Sequence, residues 1–382
     1  MAEKAKASKA KAAEIKKPLK IGFIGTGGIA GAHIGSYKRI IEKDGSVEVV
    51  AGCDIIPGKT REFFDRNGFP DAKAFNSKEE MAKAFPDLDG VSICTYNSTH
   101  SECAVFALEQ GWHVLLEKPM SVTLEQSIAI RKAEKKAGKI VTVGFQPRYD
   151  RNSQQVRQIV KSGELGKVYY VQTGGGRRRG IPGGTFIDKS KAGVGALADI
   201  GCYALDFALD AIGYPKPLTV SATASSYFGT NPKYYDNAKN FTVDDFSAAF
   251  VRLEGDITLD FRMSWAMHMD TTGDFIFLGT DAGLKVKQPH LGTWGGAWDG
   301  PIGDVYLMHD VFGKPTETKI PLDANGGENL FEQKVRAFVD AILTGGPAPI
   351  PTSQIIYNQA IVDGIQRSSA SGHEVEVVIE EV

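Results

Sequence analysis

Leu19-Lys20-Ile21-Gly22-Phe23-Ile24-Gly25-Thr26-Gly27-Gly28-Ile29-Ala30 decides the fold. The apolar run Leu19–Ile24 reads as a buried parallel strand. It leads directly into a GxGxxA turn that opens a helix. Gly25 permits the tight turn, Gly27 lets the backbone approach a pyrophosphate, and Ala30 lets the helix pack close on the strand. The amides at the helix start, those of Gly28 and Ile29 included, then face a diphosphate. The six residues by themselves also fit an ordinary glycine turn. A second apolar run, Val47–Cys53, adds weight because it ends at Asp54, 24 residues after Ala30. A carboxylate there accepts from ribose hydroxyls. It also repels a 2′-phosphate, and no arginine follows directly. NAD is therefore favoured over NADP, although Lys59 and Arg61 are close enough in sequence to swing in.

Outward from this motif, Val91–Cys94, His113–Leu116 and Ile140–Val143 read as further buried strands with helical segments between them. One helix is expected over Leu124–Ala137, with Thr123 and Gln126 spaced as a capping box and Gly138 as the stop. Alternating strand and helix predicts an α/β Rossmann domain with a parallel sheet over residues 18–145. Past residue 146 the pattern changes. Segments 168–175, 218–228, 246–253 and 256–264 read as longer strands, with Glu254-Gly255-Asp256 as a hairpin turn. This predicts an α+β C-terminal domain over 146–382 with a mainly antiparallel sheet. Residues 1–17 read as a disordered Lys/Ala-rich tail without the apolar core of a secretory signal.

The 382 residues are 42% hydrophobic and 24% charged, ordinary values for a globular chain. The net charge of -2 splits into +5 over the first 20 residues (seven Lys against Glu3 and Glu14) and -7 over the rest. A mildly acidic body argues against a nucleic-acid partner. No stretch approaches 18 uninterrupted apolar residues, which argues against a membrane span. The four cysteines, at 53, 94, 103 and 202, form no CxxC pair and read as reduced core residues of a cytoplasmic protein. The seven histidines form no HExxH or His-Cys pairing, so no metal is expected. No GxSxG nucleophile motif is present.

One further helix stands out, Ala198–Asp206, running on toward Gly213. Asp199, Tyr203 and Asp206 are spaced i, i+4, i+7 and share one face. Upstream, Glu117-Lys118-Pro119 lies in HVLLEKPMSVTLEQ, where a lysine at the carboxyl end of a central parallel strand sits at the ligand-binding edge of the sheet.

That segment, the glycine motif and Thr95-Tyr96-Asn97-Ser98-Thr99-His100 together resemble the Gfo/Idh/MocA oxidoreductases, and the resemblance runs from residue 18 onward. It implies that Lys118 lies beside nicotinamide and substrate, aimed by a cis Lys118–Pro119 bond. It places Thr95, Asn97, His100 and Glu117 near the cofactor. The family's DxGxHxxD motif falls on Asp199, Gly201, Tyr203 and Asp206, with tyrosine where the family usually has histidine. It also implies a large open sheet that mediates a homodimer or homotetramer.

A tyrosine with a pKa near 10 is a poor base at neutral pH. Lys118 nearby would favour the phenolate. Tyr203 is therefore expected to take the hydroxyl proton during hydride transfer, with Asp199 orienting the hydroxyl and Asp206 in a structural role. Arg177-Arg178-Arg179, in a glycine-rich loop, suits either a substrate's carboxylate, phosphate or hydroxyls, with Arg177 as the substrate ligand, or ion pairs between surfaces. The Trp294–Trp298 loop suits a sugar ring or simple packing. His268 suits the cleft or a self-contained role.

The expected function is an NAD-dependent oxidoreductase acting on a secondary alcohol of a sugar, glycoside or cyclitol. Two alternatives stay open. One is a net non-redox sugar reaction (elimination, deglycosylation or epimerisation) through transient oxidation by tightly bound NAD. The other is a non-catalytic nucleotide-binding regulator, against which the retention of Lys118, Asp199 and Tyr203 together argues.

Overall fold

The computed structural model describes residues 17–288, 302–323 and 329–381. The Trp294–Trp298 loop and residues 1–16 of the tail lie outside the described residues. Six parallel strands form the first sheet: β1 (Leu19–Ile24), β2 (Val47–Cys53), β3 (Lys73–Phe75), β4 (Gly90–Ile93), β5 (His113–Leu116) and β6 (Val141–Val143). Their order is β3-β2-β1-β4-β5-β6, the doubly wound arrangement in which the chain reverses direction beside β1. The short strand β3 escaped the sequence reading because Lys-Ala-Phe at an exposed edge carries no apolar run. The helices between the strands are α1 (Gly28–Asp44), α2 (Lys59–Asn67), α3 (Lys78–Ala84), α4 (His100–Glu109) and α5 (Leu124–Ala137). Helix α5 has the expected bounds. Thr123 Oγ1 accepts from the Gln126 amide, and Gly138 closes the helix at φ 62°. The Gln126 side chain accepts from Val122 N–H, one residue before the position a regular capping box would use.

After α6 (Arg151–Lys161) the second sheet begins with β7 (Val168–Gln172). Beyond α7 (Lys189–Ala192) and α8 (Cys202–Ala211) it continues with β8 (Pro217–Ser225), β9 (Phe246–Leu253), β10 (Ile257–Ser264), β11 (Phe275–Gly279) and β12 (Gly283–Val286). The last strands are β13 (Val305–Val311), β14 (Lys314–Ile320) and β15 (Val375–Glu376). The order among the described residues is β14-β13-β12-β11-β7-β10-β9-β8-β15. Every pairing is antiparallel except that of β7 with β10. The large, mainly antiparallel open sheet was therefore anticipated, but its second half, β11–β14, was not read from the sequence. Strand β7 ends earlier than expected, at Gln172, where Gly174–Gly176 carry the chain away from the sheet.

One face of this sheet is buried. Val171, Val220, Val251, Leu259, Phe261 and Phe277 point from it into the main core together with α8 and α10 (Thr352–Ser371). Helix α9 (Leu330–Thr344) returns to the first sheet. Its Val335, Phe338 and Val339 share a core with Phe23, Ile34 and Tyr37 of β1 and α1. The C-terminal region is thus distributed over both halves of the molecule, a crossing that strand and helix patterns do not announce. The stretch Lys189–Ala211 is long and apolar enough by composition to cross a membrane, but most of it is buried in this core.

Candidate active site

The carboxyl ends of β1, β2, β4 and β5 open onto one cleft made of two adjoining cavities. The first, of about 410 Å³, is lined by Gly25, Gly27, Gly28 and Ile29 of the glycine turn, by Asp54, Lys59 and Asn76, and by Thr95 and Tyr96. Gly25 has φ 85°, and a Cβ there would stand 2.8 Å from the Cys94 carbonyl oxygen, so only glycine makes this turn. Ala30 is fully buried against the sheet. Helix α1 starts with no side-chain cap and no acidic residue in its first turn. Its leading amides are thus presented to an anion, aided by the helix dipole.

Asp54 caps the same turn. Its Oδ2 accepts from Thr26 N–H (3.0 Å) and from Lys59 Nζ (2.8 Å), and its Oδ1 accepts from Ile56 N–H (3.1 Å). Burial opposes its charge, but the Lys59 bond and the two amides prevail and hold the carboxyl below its ordinary value. Lys59, expected as a residue that swings in from outside, is thus bound to the acid itself.

The second cavity, of about 310 Å³, shares Ile29, Thr95, Tyr96, Thr185 and Phe186 with the first. It adds Asn97, His100, Glu117, Lys118, Gln146, Arg177, Asp199 and Tyr203. The Lys118–Pro119 peptide is cis. Lys118 Nζ donates to the Asp199 backbone oxygen (3.0 Å) and to Asp199 Oδ1 (3.1 Å). It also stands 4.9 Å from the centre of the Tyr203 ring. Asp199 Oδ2 accepts from Trp265 Nε1 (3.0 Å). Asp199 lies in a π-helical turn, Leu197–Gly201, that runs into α8. The helix expected over Ala198–Asp206 is therefore wider at its start, and Asp199 and Tyr203 both reach the cavity. Asp206 turns away and accepts from Arg148 (Nη2 to Oδ1, 2.8 Å; Nε to Oδ2, 2.9 Å) and from the Tyr214 hydroxyl in a buried network. Its structural role fits those contacts.

Lys118, whose ammonium stands over the Tyr203 ring, favours the phenolate as expected, but it does not prevail. Burial is the larger effect, and it pushes the phenol above its ordinary value despite Lys118. The hydroxyl lies 3.0 Å from Gln146 Nε2 and 3.3 Å from its Oε1. Tyr203 is thus a neutral phenol at rest. Burial opposes the Lys118 charge, but the Asp199 carboxylate to which it is bound, with Glu117, favours the ammonium.

Four other expected ligands are engaged within the protein. Asn97 Nδ2 donates to the Ala192 carbonyl (3.1 Å), tying the first domain to α7. Burial lowers the His100 pKa, so the ring is neutral and its single N–H goes to the nearer carbonyl, that of Pro119 (2.7 Å). Glu117 accepts from His33 Nε2 (2.8 Å) and from the Lys334 ammonium. Arg177 is buried at the cavity wall and donates to the Gly180 carbonyl (3.0 Å). Arg179 and His268 instead belong to an aromatic cluster with Phe228 and Tyr234. Neither lines the described cavities. Among the described residues no group of His, Cys, Asp and Glu is arranged to hold a metal ion. Gln146 and Phe186 lie in the loops 146–152 and 174–188 expected to shape the pocket but were not singled out, and Trp265 and Lys191 were not anticipated. Gln146 follows the end of β6, where the carboxyl-edge rule would have pointed to it.

Residues 19–145 match the oxidoreductase family with NAD-binding Rossmann fold, Gfo/Idh/MocA, and residues 153–285 match that family's C-terminal domain. D-glucoside 3-dehydrogenase of Escherichia coli is 31% identical over 74% of this chain and 81% of its own length. The chain belongs to the Gfo/Idh/MocA oxidoreductase family. Among other members, scyllo-inositol 2-dehydrogenase (NADP(+)) of Bacillus subtilis is 21% identical over 92% of this chain and 94% of its own. The fold also matches levoglucosan dehydrogenase in complex with NADH, with a TM-score of 0.77 at 21% identity over 95% of this chain and all of that one. As in the family at large, the first domain is an NAD-binding Rossmann domain.

Proposed function

We propose that this Gfo/Idh/MocA enzyme oxidises a secondary alcohol of a sugar, glycoside or cyclitol with NAD. The observation that carries this reading is the meeting of Lys118, Asp199 and Tyr203 in the inner cavity, next to the cavity over the glycine turn. The dinucleotide fit rests on the uncapped start of α1, the crowded Gly25 turn and Asp54 at the ribose position. Gly25, Gly27, Gly28, Ile29 and Ala30 form the diphosphate turn, and Thr95, Asn97, His100 and Glu117 frame the inner end. Bound NAD supplies the hydride acceptor.

The protein's own part is to hold the alcohol and remove its proton. Asp199 is the anion nearest the reacting space, and both of its oxygens keep a lone pair beyond those given to Lys118 and Trp265. In this reading it receives the hydroxyl proton. Lys118 stabilises the alkoxide character that develops as the hydride leaves. Tyr203, a neutral phenol oriented by Gln146, hydrogen-bonds the same hydroxyl. Arg177 binds a more distant substrate oxygen. NAD is the preferred dinucleotide because the Asp54 carboxylate disfavours a 2′-phosphate. Self-association through the open face of the second sheet is supported by the exposed Phe250, with Tyr170, Ile276 and Leu278 on the same face.

The test is turnover of purified protein with NAD on a panel of methyl glucosides, free sugars and inositols, followed as NADH absorbance near 340 nm. Steady NADH formation on one class is the expected result. Absence of nucleotide binding by titration refutes the reading.

A further inference from the structure

Lys334 lies on α9, outside both segments that match the family, and is 1% exposed with its ammonium on Glu117. The sequence gives a faint sign of it. Phe331, Lys334, Val335, Phe338 and Ile342 follow the helical repeat, which puts a lysine within an apolar stripe. Buried charges of this kind persist only when paired. Its partner Glu117 is 5% exposed and immediately precedes Lys118.

The surroundings leave the pair little choice of position. Burial would raise the Glu117 carboxyl, but Lys334 and the His33 bond hold it well below the usual carboxylate range. Burial and Lys334 together lower His33, so its ring is neutral and donates from Nε2 to Glu117 Oε1. Nδ1 then accepts from the Ser92 hydroxyl (3.2 Å), which accepts in turn from Tyr37 (3.1 Å). The second carboxylate oxygen, Oε2, accepts from the Lys118 backbone N–H (3.3 Å). A Cβ at Gly144 would stand 2.8 Å from Glu117 Oε1 and 3.2 Å from Lys334 Nζ, so a glycine just past the end of β6 leaves room for the pair. On the far side of the cis bond, His100 holds the Pro119 carbonyl.

We infer that Lys334 is a positioning residue for the proposed dehydrogenase reaction: through Glu117 it fixes the backbone from which Lys118 reaches Asp199 and Tyr203. This inference rests on the catalytic placement of Lys118 proposed above. It makes the C-terminal helix part of the active-site frame, and it reassigns the Glu117 carboxylate from cofactor ligand to anchor of Lys118. The cluster touches α1 at His33, one helical turn beyond Ile29, but His33, Glu117 and Lys334 do not line the cavity over the glycine turn. Loss of Lys334 is therefore felt at the chemical step and not in nucleotide affinity.

The experiment compares the full-length parent with Lys334→Met and with Lys334→Met/Glu117→Gln, which removes both charges and folds if the lone buried carboxylate prevents the single variant from doing so. Three quantities are measured well below Tm: kcat, the NAD dissociation constant, and the rate at which an amine-acylating reagent labels Lys118, read by mass spectrometry. The expected result in both variants is a kcat at least tenfold lower, NAD affinity within threefold of the parent, and Lys118 labelling at least fivefold faster as it leaves Asp199. A kcat within twofold of the parent in the folded double variant overturns the inference, and so does unchanged Lys118 labelling. If the parent itself turns over no sugar or cyclitol, the proposed function fails. The labelling arm still decides whether Lys334 holds Lys118.

Discussion

Replacing Tyr203 by phenylalanine separates two chemical roles for the residue by magnitude. The variant keeps the ring that packs edge-on to Phe145 (5.5 Å between centroids) and under the Lys118 ammonium, and it removes only the hydroxyl. If the neutral phenol merely hydrogen-bonds the substrate, its loss costs about 0.5–1.5 kcal/mol. That corresponds to a kcat/KM roughly 2- to 12-fold lower. Removal of a general base costs about 10²–10⁴-fold. The structure favours the first outcome, because burial holds the phenol above its ordinary pKa even with Lys118 beside the ring. Asp199→Asn is expected to show the larger loss. Stability moves too: Gln146 Nε2 loses its partner, at a cost of about 1–3 kcal/mol, so Tm falls by a few degrees. The assay is NADH formation at saturating NAD on the substrate found in the panel, with Tm by calorimetry. A loss beyond about 10³-fold in Tyr203→Phe, with Asp199→Asn less affected, refutes the assignment and restores tyrosine as the base.

Three further outcomes are expected. Gly25→Ala places a side chain at φ 85° and 2.8 Å from the Cys94 carbonyl; it should lower Tm, at a cost of about 1–3 kcal/mol, and weaken NAD binding, and an unchanged titration would show that the turn tolerates a Cβ. Asp54→Asn removes the charge that disfavours a 2′-phosphate and frees Lys59; the NADP/NAD ratio of kcat/KM should rise about tenfold, and a ratio that stays put speaks against Asp54 as the discriminating group. Asp245 is buried, and burial, ahead of the amide bonds from Phe228 and Gly229, pushes its carboxyl up to about 6. Because the folded value exceeds the unfolded one, the native state binds the extra proton. This group's contribution is most favourable at low pH, falls as pH rises to about 6 and stays low above it. Asp245→Asn should therefore gain more in Tm relative to the parent at pH 8 than at pH 5, and a gain independent of pH would contradict the shift.

Local patterns made much of this protein legible. Five of the six strands of the first sheet, the bounds of α5, the glycine turn and Asp54 all depend on a few consecutive residues whose side chains and backbone dihedrals decide the outcome. The EKP segment and the spacing of Asp199 and Tyr203 likewise pointed to side chains that line one cavity. The π-helical turn before α8 was not legible, because hydrogen-bond register within a helix responds to what packs on it. The strands β11–β14 also went unread in a stretch of mixed polarity.

What the sequence by itself determined is which short segments form strands, turns and helix ends, and which residues are candidates to hold a dinucleotide and move a proton, since these follow from periodicity, caps and residue type. What only the tertiary structure decided is how those residues face one another. Lys118 lies over the Tyr203 ring. Trp265 and Lys118 share Asp199. Lys334 reaches Glu117 from 217 residues away. Such contacts are set by the packing of distant elements, and a buried charge finds its partner only when the fold has excluded water from both.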